Sequence, residues 1–210
     1  MRFFVVIFLL LISCAGLSAA EGSLYLIPTP KKTDRLKGYF NFAKPYAIHI
    51  SNADSFIVNQ LQEAIEKKFN KYPAKAVGAH KINLLQVDSF NYVRFIKSEK
   101  IKSPFALGNE GYLLLIKPKG ITIIANQSAG VFYGVQTLLQ LINANAKNGS
   151  VPCLIIYDKP DMAMRGWQDD ISRGPIPTMD FLKEEIRRMA SYKLNTFTLY
   201  TEHVFKLKKH

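Results

Sequence analysis

The clearest pattern along the chain is a pair of apolar runs separated by four turn-forming residues. Tyr112–Ile116 and Ile121–Ala125 are almost continuously apolar, and Lys117-Pro118-Lys119-Gly120 lies between them. Proline presets the backbone for a turn, and glycine accepts conformations that other residues avoid, so the pattern predicts a β-hairpin. Strands that are apolar on both faces are typical of the centre of a sheet, and we therefore place this hairpin centrally.

Weaker patterns on both sides of the hairpin extend it into a domain. Alternating or apolar runs predict further strands at Ser23–Ile27, Tyr46–Ser51, Ile82–Val87 and Val151–Tyr157. Apolar residues spaced three and four apart predict two helices, one capped by Asn52 and another capped by Ser128. Together these elements predict an α+β domain over residues 21–161, a mixed sheet with its helices packed on one face.

Two glycines, Gly130 and Gly134, lie one turn apart on the helix that begins at Ser128. A glycine-rich helix start after a strand can bind phosphate. No dinucleotide fingerprint and no Walker lysine accompany these glycines, however, so we predict no such cofactor. The pair is better explained by a helix backbone that packs closely against the sheet.

After the polar link Asp158-Lys159-Pro160-Asp161 the pattern changes to strand, helix and strand. Met164–Asp170 and Asn195–Thr201 are strand-like, and Thr178 can cap the helix between them. This spacing predicts a parallel β-α-β crossover. The predicted buried stripe of its helix consists of Leu182, Ile186, Met189 and Ala190.

Composition excludes some classes of function. The chain has 210 residues and a formal net charge of +12. Its lysines are scattered and form no basic stripe with interleaved aromatic residues, so we predict no nucleic-acid partner. Attraction to anionic glycans or to a membrane surface stays open. His49, His80 and His210 have no metal-ligand spacing, and we predict neither a metal nor another cofactor.

The first twenty residues are predicted to be a secretory signal peptide, not part of the fold. One basic residue precedes an apolar run, and small residues precede Glu21, where cleavage is expected. The run is too short to span a membrane, so we predict an exported bacterial protein, periplasmic or at the cell surface. Leu11–Cys14 resembles a lipobox, in which Cys14 would carry a lipid anchor. Cleavage at Glu21 leaves Cys153 as the one cysteine, which its apolar surroundings predict to be a buried thiol.

Several motifs carry a resemblance to a known family. Glu110-Gly111-Tyr112, the run Ala129–Leu138 and the early Ile27–Pro30 resemble the N-terminal accessory domain of bacterial β-N-acetylhexosaminidases, glycoside hydrolase family 20. The run from Arg165 to Arg173 is similar to that family's first barrel strand and loop, and Tyr192–Asn195 resembles the turn into its second strand. Glycosidases of the hyaluronidase, O-GlcNAcase and α-glucuronidase types carry similar front domains.

Two positions depart from the family pattern. Gly174 stands where the family usually has histidine, and Thr198–Val204 lacks the usual His-x-His and paired aspartates. These differences would affect which sugar is bound.

The resemblance implies that residues 162–210 begin an incomplete (β/α)8 TIM barrel. It also implies a glycan substrate and retaining hydrolysis assisted by the acetamido group of an N-acetylhexosamine, a recognised exception to the two-carboxylate scheme. In the family the working Asp–Glu pair follows the fourth strand, so we assign no catalytic residue in this chain. We expect a fragment that is inactive by itself. The alternative is a noncatalytic carbohydrate-binding or scaffolding module.

Candidate site residues follow from strand-end positions and from the resemblance. Glu202 and His203 follow the second strand of the crossover, where barrel enzymes place their substrate contacts. Arg165 resembles an arginine that binds neighbouring sugar hydroxyls in the family. Asp170 and Arg173 are expected to be structural residues near the site.

Each assignment has an alternative that the sequence leaves open. Arg165 could instead pair internally with Asp169 or Asp170, and the residues that follow the second strand could make structural hydrogen bonds. Trp167 could stack on a sugar ring, but a barrel-strand tryptophan is more often part of a core, and we predict the core.

Overall fold

The structure is a computed structural model that describes residues 24–74, 80–102, 106–146 and 149–202 together with Lys208. The predicted signal peptide with Cys14 and the predicted substrate contact His203 lie outside the described residues. Among the described residues no helix is both long and apolar enough to cross a membrane.

The first part of the chain forms a six-stranded mixed sheet. Its strands are β1 (Lys32–Asn41), β2 (Tyr46–Ser51), β3 (His80–Gln86), β4 (Tyr112–Lys117), β5 (Gly120–Ala125) and β6 (Ser150–Asp158). Their spatial order is β1-β6-β4-β5-β3-β2. The hairpin β4–β5 therefore lies at the centre of the sheet, as predicted. The β2–β3 and β3–β5 pairs are parallel, and the other pairs are antiparallel.

Three helices cover this sheet, and they lie on both of its faces. They are α1 (Ser55–Phe69), α2 (Ser89–Ser98) and α3 (Ser128–Gln140), the last continued by a π-helical turn at Leu141–Asn145. Leu114 and Ile123 face a core shared with α1 and α3, whereas Leu113 and Ile124 face a second core with Tyr92 of α2. The prediction that the helices pack on one face is therefore wrong. A central hairpin that is apolar on both faces needs cover on both.

The backbone of α3 approaches the central hairpin closely at its two glycines. A Cβ atom at Gly130 would lie 2.4 Å from the carbonyl oxygen of Gly111. One at Gly134 would lie 2.5 Å from Cγ2 of Ile123. These distances are shorter than any tolerable contact, so the predicted packing role of the glycines is confirmed. Cys153 is fully buried, as predicted, and burial raises the pKa of its thiol.

Two elements of this domain were not predicted, and one predicted strand is absent. β1 is a mostly polar edge strand that pairs with β6, so its sequence shows no strong apolar period. α2 has apolar residues at helical spacing, but it is short and fully buries just Tyr92. No strand forms over Leu24–Ile27. Instead, the Gln140 side chain accepts from the Ile27 amide at 2.8 Å and donates to the Ile27 carbonyl at 2.7 Å.

The second part of the chain is a strand–helix–strand unit, as predicted. It consists of β7 (Gly166–Asp170), α4 (Met179–Ser191) and β8 (Thr196–Tyr200), and β7 and β8 are parallel. The Thr178 hydroxyl caps α4 by accepting from the Phe181 amide at 3.2 Å.

The apolar faces of this unit are incompletely covered by the described residues. Ile186, in the predicted buried stripe of α4, is 47% exposed, and none of the residues of α4 is buried. Trp167 on β7 is 56% exposed, so its predicted place in a core is wrong for the described part of the chain. A two-stranded sheet with a single helix offers too few neighbours to enclose either side chain.

Candidate functional site

The carboxyl edge of β7–β8 gathers several of the predicted residues. Asp170 ends β7, and its carboxylate accepts from the Ser172 hydroxyl at 2.6 Å and from the Ser172 amide at 2.9 Å. Nε of Arg173 lies 3.7 Å from the same carboxylate. These hydrogen bonds, with a smaller contribution from Arg173, lower the pKa of Asp170.

Glu202 lies at this same edge. Tyr200 is opposite Asp170 in the ladder and donates its hydroxyl to Glu202 Oε1 at 2.7 Å. This hydrogen bond raises the pKa of the Tyr200 phenol, and the Asp170 carboxylate adds to the effect. Three of the predicted residues, Asp170, Arg173 and Glu202, thus form one polar edge at the carboxyl ends of β7 and β8.

Arg165 lies at the opposite end of β7, at the junction with the six-stranded sheet. Its guanidinium donates from Nη1 to Glu110 Oε2 at 2.8 Å and from Nη2 to the Tyr133 hydroxyl at 3.2 Å. It also donates from Nε to the Lys193 carbonyl at 2.9 Å and from Nη1 to the Met162 carbonyl at 2.8 Å. Four of its five N–H groups therefore have acceptors, one on Nε, two on Nη1 and one on Nη2.

This geometry favours internal pairing of Arg165 over a sugar contact, with Glu110 in place of the aspartates that the sequence suggested. The Arg165 and Glu110 side chains are only 16% and 23% exposed. A sugar contact by Arg165 stays a prediction. The structure brings Arg165 together with front-domain groups and not with Asp170 or Glu202.

A second, more deeply buried ion pair lies beside the first. Lys193 Nζ donates to Asp158 Oδ2 at 2.8 Å and to the Tyr112 hydroxyl at 2.9 Å. Tyr112 also lies 2.6 Å from the Thr137 hydroxyl. Burial lowers the pKa of Lys193, while Asp158 opposes that shift. Burial also raises the pKa of Tyr112 well above its usual value, and the Asp158 carboxylate adds to this.

The two ion pairs line a pocket of about 210 Å³ between the six-stranded sheet and the second unit. Pro28, Pro160 and Met162 supply apolar wall, and Lys31 and Asp161 form an ion pair at its side. The pocket is thus a junction between the two parts of the fold. The charged groups of Glu110, Arg165, Asp158 and Lys193 in its wall are paired with each other.

Sequence reasoning did not assign chemistry to the junction residues. Glu110 and Lys193 appeared only within motifs that resemble the family, and Tyr112 appeared there and as the first residue of a predicted strand. The usable signal was that these motifs hold polar residues next to buried strands and helix ends, where a partner is needed. Which partner each one finds depends on contacts across 35 to 81 positions of the chain.

The described residues contain no group of three or more His, Cys, Asp and Glu side chains that could hold a metal ion. The acidic side chains of the β7–β8 edge instead accept from Ser172 and Tyr200, as described above. The chemistry available there is hydrogen bonding from carboxylates, a phenol and a guanidinium.

The front part of the chain matches a known family. The sequence model of glycosyl hydrolase family 20, domain 2, matches residues 23–159, which is more than half of the chain. The chain belongs to glycosyl hydrolase family 20. The expected α+β accessory domain of that family is the six-stranded sheet with its helices.

Relatives and solved structures agree with family 20. A β-hexosaminidase of Porphyromonas gingivalis is 35% identical over 104 residues, 46% of this chain and 13% of that protein. The N,N'-diacetylchitobiase of Vibrio harveyi is 29% identical over 184 residues, 88% of this chain and 19% of that protein. The structure of a Flavobacterium johnsoniae chitobiase is similar with a TM-score of 0.64 and 26% identity, over 85% of this chain and 27% of that one.

A further neighbour shows the fold alone. The family 20 exo-β-N-acetylglucosaminidase of Vibrio harveyi, solved with N-acetylglucosamine, matches with a TM-score of 0.66 at 22% identity, over 84% of this chain and 25% of that one. The chain thus spans less than a fifth of the two curated relatives named above and about a quarter of these structures.

Proposed function

We propose that this chain is the N-terminal part of an exported glycoside hydrolase. It would act on glycans that contain N-acetylhexosamine, by retaining hydrolysis in which the substrate's own acetamido group attacks the anomeric carbon. The observation that carries the proposal is the family 20 domain with a parallel β7–α4–β8 unit fixed to it through two shielded ion pairs.

The β7–α4–β8 unit would be the opening of the family's catalytic barrel. Parallel strand–helix–strand units are what a (β/α)8 barrel repeats, and further strands and helices would cover Trp167 and the α4 stripe. The polar edge at Asp170 and Glu202 would then lie at the barrel end that binds substrate. Glu202 and His203 are the proposed substrate contacts, and Asp170 and Arg173 would shape that edge.

The catalytic pair is proposed to lie outside this chain, and activity provides the test. The purified chain should show no turnover of an aryl N-acetylglucosaminide, because the described residues bring together no acid and orienting carboxylate that could flank one bond. Turnover that stays with the chain through purification would contradict the proposal.

Reading the coding sequence after codon 210 gives a second test. An Asp-Glu pair after a fourth strand is the expected finding. A stop without such sequence would favour a noncatalytic carbohydrate-binding module instead.

Export can be tested on the mature protein. Intact-mass measurement of the chain secreted by a bacterial host should give a polypeptide that begins at Glu21. A lipid-modified species that disappears in Cys14→Ser would show the lipid anchor instead. A chain that keeps its first twenty residues would contradict export.

A further inference from the structure

Glu110 is a front-domain carboxylate that contacts the starts of both strands of the second sheet. One oxygen, Oε2, accepts from Arg165 Nη1 at 2.8 Å, and the other, Oε1, accepts from Asn195 Nδ2 at 3.3 Å. Arg165 immediately precedes β7, and Asn195 immediately precedes β8. A single side chain of the six-stranded domain thus bridges the two points where the β7–β8 ladder begins.

The bridged residues also make the first contacts of that ladder. The Asn195 amide donates to the Arg165 carbonyl at 2.8 Å, and the Arg165 amide donates to Asn195 Oδ1 at 2.9 Å. Thr196 donates to the same Arg165 carbonyl at 3.2 Å. The pairing then runs without a shift from Gly166 opposite Thr196 to Asp170 opposite Tyr200.

Register needs such an anchor in this sheet. A slip of one residue would turn every side chain to the other face, and an isolated pair of strands is only marginally stable. The described residues of β7 and β8 bury little apolar surface that could specify register by itself. The Glu110–Arg165 contact is shielded from solvent, since both side chains are less than a quarter exposed, whereas the Glu110–Asn195 hydrogen bond is exposed.

We propose that Glu110 is a positioning residue that fixes the register of β7 against β8. It thereby sets the spacing of Asp170, Tyr200 and Glu202 at the opposite edge. The use of that edge for a glycan rests on the proposed function, whereas the register itself does not.

The test compares Glu110→Ala and Glu110→Gln with a matched control, Glu99→Gln. Glu99 is also a front-domain carboxylate paired with a cation, Lys117, but that cation belongs to β4. Amide hydrogen exchange by NMR is measured in residues 166–170 and 196–200 and in the central hairpin. Glu110→Ala should speed exchange in the β7–β8 ladder by about tenfold or more while the hairpin keeps its protection. Glu110→Gln should be intermediate, and Glu99→Gln should leave β7–β8 unchanged.

A second readout follows the far edge. The pKa of the Tyr200 phenol is raised by its hydrogen bond to Glu202 and also by the Asp170 carboxylate, which lies opposite Tyr200 in the ladder. The contribution of Asp170 should fall in Glu110→Ala, while the local hydrogen bond to Glu202 keeps the rest of the shift. General destabilisation that left the register intact would not move this titration in the folded protein.

Three outcomes would overturn the inference. They are unchanged β7–β8 exchange in folded Glu110→Ala, equal loss of protection in the hairpin, and a Tyr200 titration like that of the wild type. If Glu110→Ala does not fold, the same comparisons in Glu110→Gln decide. These exchange and titration measurements use no sugar. Turnover by the isolated chain would therefore contradict the proposed function without affecting the conclusion about the β7–β8 register.

Discussion

Lys193 combines an uncommon backbone conformation with a buried charge. It follows the last turn of α4 with a φ of +63°, and the amides of Lys193 and Leu194 donate to the carbonyls of Ala190 and Met189. Glycine is the usual residue at this position of a helix end because it has no Cβ. Here the side chain reaches Asp158, so a lysine is kept where glycine would fit the backbone better.

Replacing this lysine separates the two effects. Lys193→Gly should lower the free energy of unfolding by about 2–4 kcal/mol. Removing the lysine leaves the Asp158 charge buried and unpaired, which costs about 3–5 kcal/mol, and glycine relieves the left-handed backbone, which returns about 1 kcal/mol. Urea denaturation followed by circular dichroism measures the change. The control is Asn70→Gly, an exposed left-handed position after α1, which should be neutral or stabilise by up to about 1 kcal/mol. Equal results for both variants would show that the ion pair contributes nothing.

At the scale of elements, α3 is defined by how closely it packs on the central hairpin. Val131, Val135 and Leu138 are fully buried, and the two glycines let the helix backbone approach β4 and β5. The prediction that Ser128 caps this helix is wrong, because Ser128 is its first residue and Gln127 occupies the cap position without a side-chain hydrogen bond. Tertiary packing therefore stabilises α3 more than its own end does.

Adding a methyl group to that surface should be costly. Gly134→Ala gains helix propensity, about 1 kcal/mol, but its Cβ would lie 2.5 Å from Ile123 Cγ2 and 3.2 Å from the Tyr112 ring. Overpacking should outweigh the gain and give a net loss of about 1–2 kcal/mol in unfolding free energy. Gly130→Ala should lose more, because its Cβ would meet the Gly111 backbone, which cannot rotate away. Thermal denaturation of both variants checks the ranking, and an unchanged or higher melting temperature for Gly134→Ala would contradict it.

Helices and strands were predicted correctly where their apolar residues repeat with the period of the element itself. The central hairpin, α3 and the β7–α4–β8 unit have apolar residues at the spacing of their own secondary structure, and each is present. β1 was missed because its sequence is largely polar. α2 was missed although Tyr92, Phe95 and Ile96 contact one core, because the helix is short and fully buries just the tyrosine. Capping was harder to place: Asp54, not Asn52, caps α1 by accepting from the Phe56 amide at 2.8 Å.

At the scale of the whole molecule, buried tyrosines link stability to alkaline pH. Burial raises the pKa of Tyr46 and of Tyr157 to about 12, from about 10 in the unfolded chain. A group whose pKa is raised by folding contributes stability that is fully present below its unfolded value and is lost as pH rises through its folded value. The free energy of unfolding should therefore fall between about pH 10 and pH 12.

Urea denaturation at pH 9, 10 and 11 tests this dependence. Tyr157→Phe should flatten the profile, although it also loses the hydroxyl's 3.0 Å hydrogen bond to the Lys102 carbonyl. Tyr39→Phe is the control, because Tyr39 is 64% exposed. A profile that is flat in the unsubstituted chain, or one that Tyr39→Phe alters equally, would refute the assignment.

The residues of the candidate site, like the elements, were predictable where their placement depends on local sequence and were missed where it depends on distant contacts. The strand-end rule brought Asp170, Arg173 and Glu202 to one edge, because that placement follows from local strand and loop order. The rule could not find the junction, because Glu110 and Arg165 are 55 positions apart and carry no periodic signal. Polar residues in loops look alike in sequence whether they face solvent or a buried partner.

The sequence by itself determined the central hairpin, the glycine-dependent helix, the parallel crossover and the family to which the front domain belongs. These features depend on residues near one another in the chain, where periodicity and motif spacing report burial directly. Only the tertiary structure decided that α2 covers a second face of the sheet, that Arg165 meets Glu110, and that Lys193 meets Asp158. A long-range polar contact forms when the fold excludes water around two distant groups, and neither group's local sequence contains that information.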